Sequence, residues 1–393
     1  MTTALLRPAT SPESVGLSSS GLDRLSRRVR DDVTSGALKG AVFLVARHGQ
    51  VARHEAFGQA DKTPMQLDSV FRLAAVTRPI VVAAALAMME ENLLTLNDPV
   101  AHFLPELADV RVGPKREMVS RPMTVLDLMR HTSGFTYHMF GNSPVQQMYA
   151  EARPMEVGQT NAEMVTKLAR LPLECQPGSQ FEYGMSTDVL GRVMEVAGGA
   201  DLAEIVERYI TRPMRMDQTG FHLRPGSAGL ARPRSKPQVM FDYDEANPPV
   251  WLSGGAGLLS TAMDYARFCE MLLRGGCGVL SRKTVELMLS NQLPPGIAFG
   301  ASTSVMGIIG PSPEQGLGHG LGVGLRCHVG MGHVPGSVGD FFWGGALGPY
   351  FWADPVEDLV CVLMLAENDA LVRQRYRSLI RNGVYAALVD EAT

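Results

Sequence analysis

Phe71-Arg72-Leu73-Ala74-Ala75-Val76-Thr77-Arg78-Pro79-Ile80 runs into the apolar stretch Val81 to Met89, and the rest of the chain is organised around this junction. The apolar run predicts a buried helix. Residues three apart on a helix share a face, so Ala75 and Arg78 stand side by side at its start. Such a place suits a hydroxyl with a proton acceptor one turn further on. Here alanine offers no nucleophile, and arginine stays charged at any working pH and takes no proton.

Composition bounds the surroundings of that helix. The chain has 393 residues, 45% hydrophobic and 19% charged, enough for a sizeable core in two lobes. A net charge of −4 without a basic block implies no nucleic-acid partner. Cys175, Cys269, Cys277, Cys327 and Cys361 are odd in number and not close-set, which suits reduced thiols better than a disulfide framework. No CxxC or HExxH spacing occurs among them and the nine histidines, so neither a metal nor a cofactor is expected. Met1 to Ser20 lacks the apolar region of a secretory signal, and no run reaches the length of a membrane span. The expectation is a cytoplasmic protein.

Periodicity predicts a helix over Gly21 to Ser35, then a hairpin of Gly40–Ala46 and Val51–Phe57 turning at His48-Gly49-Gln50. Leu93 to Leu104 follows the organising helix with a start signal at Asp98-Pro99. The middle reads as helices over Val125–Arg130, Val145–Ala152, Ala162–Leu171, Val189–Ala197 and Leu202–Ile210, then a proline-rich loop from Gly226 to Pro249. Strand-like material returns at Gly254–Leu259, Leu321–His328, Phe341–Trp343, Gly348–Ala353 and Leu359–Ala366, with helices at Thr261–Arg274 and Leu371–Leu388. This order predicts an α+β fold, an antiparallel sheet flanked by terminal helices with a mostly helical second lobe. The expected division is 1–110 with 251–393 for the sheet domain and 111–250 for the helical lobe.

Five landmarks, in order, carry a resemblance: Phe71 to Pro79, Leu128 to Gly134, Tyr183 to Gly191, Ser253 to Gly257 and Trp343 to Ala346. They resemble F-R-x-A-S-x-T-K-P, L-x-x-H-T-S-G, Y-x-x-S-x-D-V-L-G, S-G-G-A-G and W-G-G-A of the β-lactamase-like serine hydrolases. That family includes class C β-lactamases, penicillin-binding proteins and, closest in look, the family VIII carboxylesterases. Each landmark alone is weak; five in family order span nearly the whole chain. The resemblance implies a β-lactamase/transpeptidase-like fold. It also shows the departure, because the family's S-x-x-K is replaced by Ala75-Val76-Thr77-Arg78.

The resemblance further implies that Tyr183, with Arg78 and the empty nucleophile position Ala75, forms the catalytic group. Trp343, Gly344, Gly345 and Ala346 would line the substrate on an edge strand, with Ser186 beside them. The Ala75 and Ala346 N–H groups would form an oxyanion hole, which survives side-chain replacement. Arg78 would supply the cation that a tyrosine needs to act as a base near neutral pH. His131-Thr132-Ser133-Gly134 is structural in the family, Thr77 points to another helix face than Ala75, and Met88 and Met89 read as core filler. Three functions follow. One is a repurposed pocket for an acyl or carbonyl small molecule, used for binding or for non-covalent acid/base chemistry such as enolisation or lactone opening. Another is a carboxylesterase or amidase whose nucleophile has been mutated. The third is a catalytically dead scaffold, favoured if Phe140 or Trp251 plugs the pocket. Loss of both serine and lysine fits drift or repurposing better than a deliberate knockout, which would change the serine alone.

Overall fold

The computed structural model describes residues 6–234 and 243–389. Its centre is a sheet of eight strands: β1 (Arg7–Pro8), β2 (Gly40–Arg47), β3 (Gln50–Gly58), β4 (Leu317–His319), β5 (Gly324–Arg326), β6 (Phe341–Gly344), β7 (Tyr350–Asp354) and β8 (Leu359–Leu365). Their order across the sheet is β1-β3-β2-β8-β7-β6-β5-β4. All neighbours are antiparallel except β1, which runs parallel to β3. The middle strand β8, Leu-Val-Cys-Val-Leu-Met-Leu, is buried throughout. An unbroken apolar strand is stable only when both faces of its sheet are covered.

Five helices position the site: α1 (Ser19–Thr34), α2 (Thr77–Glu90), α3 (Ser186–Gly198), α4 (Ala262–Leu273) and α5 (Ala370–Tyr385). On β7, Phe351 meets Tyr265 of α4 with ring centroids 5.0 Å apart, and the next residue, Trp352, stacks on Tyr385 of α5 at 6.0 Å. Successive strand residues point to opposite faces, so α4 and α5 cover the two sides. α1 starts at a cap, Gly21 N–H donating to Ser18 Oγ at 3.1 Å. It buries Leu22, Leu25 and Val29 and packs beside α5, where Gly383 leaves room for the Leu25 side chain. The fold is thus the expected α+β one, with terminal helices against an antiparallel sheet. α2 is buried from Thr77 through Met88, as a helix apolar on every side must be.

Other expected elements are shorter or displaced. Leu93–Leu104 yields a helix only over Val100–Phe103. The helices of the middle are Val125–Met129, Pro144–Ala152, Asn161–Leu168, α3 and Leu202–Val206, the last passing into a π turn over Glu207–Thr211. Leu321–His328 is no single strand. It is the tail of a hairpin, β4 turning into β5 at Gly322, whose φ of 74° suits glycine. Gly254–Leu259 is mostly a turn, with only Leu259–Ser260 extended and paired to Phe71–Arg72. Residues 235–242 of the Gly226–Pro249 loop lie outside the described ones.

Beneath β5 and β6 a buried carboxylate holds the sheet to α5. Asp340 Oδ2 accepts from Arg326 Nε at 2.8 Å and from Arg381 Nη2, while Arg381 Nη1 donates to the Tyr350 hydroxyl at 3.0 Å. Removing one partner of such a group strands the others' charge. Asp340→Ala is therefore expected to lower stability by about 3–5 kcal/mol in urea unfolding. A loss below about 1 kcal/mol, the range of an exposed ion pair, would show that water reaches the two guanidiniums.

Candidate functional site

Phe71–Arg72 pairs with Leu259–Ser260, and Leu73 N–H donates to the Leu258 carbonyl at 2.9 Å. The chain then turns sharply into α2 through Ala74, whose φ is +48°. A left-handed backbone at a residue with a Cβ costs about 1–2 kcal/mol, so packing on both sides enforces it. The turn leaves Ala75 as the one partly exposed residue among 71–80. Trp343–Ala346 passes directly over it. A Cβ on Gly345 would lie 2.4 Å from the Leu73 carbonyl oxygen and 3.4 Å from Ala74 Cβ, so only glycine permits the approach. β5 pairs only with Phe341 and Phe342, so the far end of β6 keeps one side open. β6 is therefore an inner strand with a free end rather than the expected edge strand. Among the described residues neither Ala75 N–H nor Ala346 N–H makes a protein hydrogen bond. Both remain available as donors.

Ala75, Arg78, Tyr183, Gly344, Gly345 and Ala346 line one open cleft with a cavity of about 120 Å³. Arg78, 2% exposed, is fixed on both prongs. Nη1 donates to the Gly255 carbonyl at 2.6 Å and Nη2 to the Tyr137 hydroxyl at 2.7 Å. The guanidinium lies 4.5 Å from the centroid of the Tyr183 ring, a cation–π contact in a desolvated place. The Tyr137 hydroxyl in turn donates to Asp188 Oδ2 at 3.5 Å. Asp188 Oδ1 accepts from Ser253 Oγ at 2.5 Å and from Gly255 N–H at 3.1 Å. Burial pushes the Asp188 carboxyl up from its ordinary value, opposed by Ser253 and the Arg78 charge. Three donors and no acceptor mark it as the carboxylate form. Burial likewise opposes the Arg78 charge, but Tyr137, Tyr183 and Asp188 outweigh it and its pKa is raised. The landmark Ser253–Gly257 thus works as a collar around an Arg–Tyr–Asp relay.

This geometry corrects three expectations. Arg78 faces the ring of Tyr183, not its hydroxyl, and burial raises the Tyr183 pKa despite the Arg78 charge. The phenol stays protonated at neutral pH and is no base. Ser186 does not line the cleft; it is fully buried, and its hydroxyl is 2.8 Å from that of Ser133. Trp343 is also fully buried, its ring 5.8 Å from that of Tyr183, and it does not line the cleft. Thr77 Oγ1 accepts from Leu258 N–H at 3.2 Å, away from the Ala75 position. Phe140 sits on the cleft wall and Trp251 does not reach it, so neither plugs it.

The structure adds lining residues that the sequence reading passed over. Tyr137 lies just beyond His131–Gly134, and one tyrosine carries no signal by itself. Arg373, Gln374 and Arg377 come from the first turns of α5. Two arginines four apart on a predicted helix share a face, a signal that was available. Met139, Met155, Met306 and Ile309, with Phe140, make the apolar wall. Among the described residues the lining has no carboxylate, imidazole, thiol, lysine or serine, and no three or more His, Cys, Asp or Glu are grouped so as to hold a metal ion.

Residues 25–382 match the family described as Beta-lactamase. Protein Rv1367c of Mycobacterium tuberculosis is 31% identical over 88% of this chain and 90% of its own. Esterase EstB of Burkholderia gladioli is 30% identical over 89% of this chain and 91% of its own. Among solved structures, EstCE1, described as a hydrolase with promiscuous acyltransferase activity, superposes with a TM-score of 0.79 at 26% identity. That match covers 93% of this chain and 98% of EstCE1.

Behind Tyr183 lie two imidazoles. His131 is 4.9 Å from the Tyr183 ring, and His319 is 5.8 Å from His131 and 5.1 Å from Trp343. Both are fully buried, and none of their ring nitrogens has a hydrogen-bond partner among the described residues. Burial, then the Arg78 charge, holds His131 well below its ordinary pKa and brings His319 to about 3. Below pH ~6.5 the unfolded chain takes up two protons that the folded chain refuses. Stability is therefore complete above that pH and falls as pH drops towards 3, by up to about 2.7 kcal/mol per unit for the pair. Urea unfolding at pH 7 and pH 5 should show this loss, with His319→Phe removing about half of the pair's share. An identical pH dependence in the variant would contradict it.

Proposed function

The chain belongs to the beta-lactamase family, and on that premise we propose that its cleft binds an acyl or carbonyl small molecule without forming an acyl-enzyme. One observation carries this reading: the position of the nucleophile is alanine, and the position of its base is an arginine pinned by Tyr137 and Gly255 and balanced by Asp188. A serine hydrolase needs a proton acceptor within hydrogen-bond reach of its nucleophile. The lining side chains provide none at neutral pH, since Arg78 is charged and Tyr183 is protonated. What remains is recognition. Two free N–H groups face a carbonyl or carboxyl oxygen, and an apolar wall faces its chain.

The same lack of a base argues against proton abstraction from the ligand, so binding is favoured over enolisation or lactone opening. The open cleft argues against a scaffold with a closed pocket. A second reading has one observation in its favour. The strained Ala74 and the unused donors keep the frame of a working hydrolase, as expected for an esterase whose nucleophile was replaced. EstB is named an esterase and EstCE1 a hydrolase, which supports acyl compounds as the class of ligand in either case.

Exposure to fluorophosphonates, activated esters and β-lactams should leave the intact mass of the protein unchanged. p-Nitrophenyl ester turnover should show no burst and should not exceed the roughly 10³–10⁴-fold over the solution rate that backbone donors and binding alone supply, because ordinary covalent catalysis has no starting point. A stoichiometric adduct, at Ser133 or elsewhere in the cleft, would overturn the reading.

A further inference from the structure

Arg373 and Arg377 stand four apart on α5 and both line the cleft. Arg377 is 4% exposed; its Nη2 donates to the Gly345 carbonyl at 2.9 Å. Arg373 Nη1 donates to the carbonyls of Ala346 and Asn368. In each the Nε is buried without a partner, and neither forms an ion pair among the described residues. Burial, with Arg373 as the next cause, brings the Arg377 pKa down to about 10; it is still a cation at neutral pH. Like charges at this spacing repel, and a buried charge without a counter-ion is costly. Arg78 differs, because Asp188 balances it through Tyr137. Asp369 and Glu367 partly offset the Arg373 charge, whereas Arg377 is acted on by burial, Arg373, Tyr350 and Tyr183 and by no carboxylate, so positive charge remains at the mouth formed by α5.

Much of the remaining lining is apolar. Met306 and Ile309 belong to a segment that abuts α5, a Cβ on Gly307 falling 3.1 Å from Gln374 Nε2. From there Met139, Met155 and Phe140 continue the wall, and the Phe140 ring reaches Tyr183 at 6.0 Å. Three unbranched thioether side chains form a surface that adapts to a flexible chain. The polar groups of the cleft floor, Ala75 N–H and Ala346 N–H, are donors. A site with cations at one end, donors on its floor and soft apolar side chains along its length is complementary to an amphipathic anion.

Resting on the binding reading above, we propose that the ligand is an aliphatic carboxylate, its head between Arg373 and Arg377 and its chain along the Met139–Phe140–Met155–Met306–Ile309 wall. Calorimetric titration of the full chain with sodium octanoate and with methyl octanoate tests this. Octanoate is expected to bind at least ten times more tightly than its methyl ester. Across straight-chain acids of four to ten carbons, each added methylene should tighten binding by about fourfold until the wall ends. Arg373→Gln, at a half-buried position, should weaken octanoate tenfold or more and the ester by much less. Arg377→Gln should do the same if it folds, and the acid–ester comparison on the unaltered chain does not depend on it. Equal binding of acid and ester, or an Arg373→Gln variant unchanged towards both, would overturn the carboxylate assignment while leaving the acyl-binding reading in place. Binding of neither would overturn both.

Discussion

A charge at the head of α2 that cannot leave sets the terms for everything around it. The guanidinium of Arg78 is buried among apolar helices, and desolvating such an ion costs several kcal/mol unless its partners are well placed. They come from three separate parts of the chain: the Gly255 carbonyl, the Tyr137 hydroxyl and, through Tyr137, the Asp188 carboxylate. The planar fork of arginine reaches two acceptors at once, which a lysine ammonium on a flexible stem does less firmly. The arrangement turns a position where a serine hydrolase keeps a labile proton into one with a fixed charge. Glycine at 255 is part of the same constraint, because a Cβ there would lie 2.6 Å from Asp188 Oδ2 and 3.2 Å from Arg78 Nη2.

The consequences spread outward from that charge. Arg78 lies against the face of Tyr183 and does not serve its hydroxyl, so the phenol keeps its proton. Its field also reaches the buried imidazoles of His131 and His319 and helps hold them neutral. Meanwhile the backbone of the cleft keeps the left-handed Ala74, the close pass of Gly345 over Leu73, and two N–H groups without a protein acceptor among the described residues, on residues that line the same cleft. The cleft is thus rich in donors and cations and has no base. Such a set of groups is complementary to anions and acyl oxygens, which is the ground for proposing that it binds them without cutting them.

Much of the fold was legible because it rests on local pattern. The hairpin of β2 and β3, the strand β8, and the helices α1, α4 and α5 each announce themselves by periodicity or by an unbroken apolar run. The stretches that misled are rich in glycine. Ser253–Gly257 resembles a strand by composition, but its glycines wrap Asp188 and Arg78, and Leu321–Gly322 turns where a strand was expected. Family landmarks located Ala75, Arg78, Tyr183 and Gly344–Ala346, since each is tied to backbone geometry that sequence order preserves. Ser186 and Trp343 stood in the right motifs yet point into the core, because one step along a helix or strand changes the face a side chain occupies. Tyr137 and Asp188 were invisible as a pair, being 51 residues apart and joined only by the tertiary fold.

Binding without acyl transfer requires that no group in this cleft can take a proton from a nucleophile at position 75. Installing only that nucleophile, Ala75→Ser, and following fluorophosphonate labelling by intact mass tests it most directly. A base-free cleft predicts that the new serine stays unmodified and that p-nitrophenyl esters give no burst. Stoichiometric labelling at position 75, with a burst of one equivalent, would show that a working base is present and contradict the account.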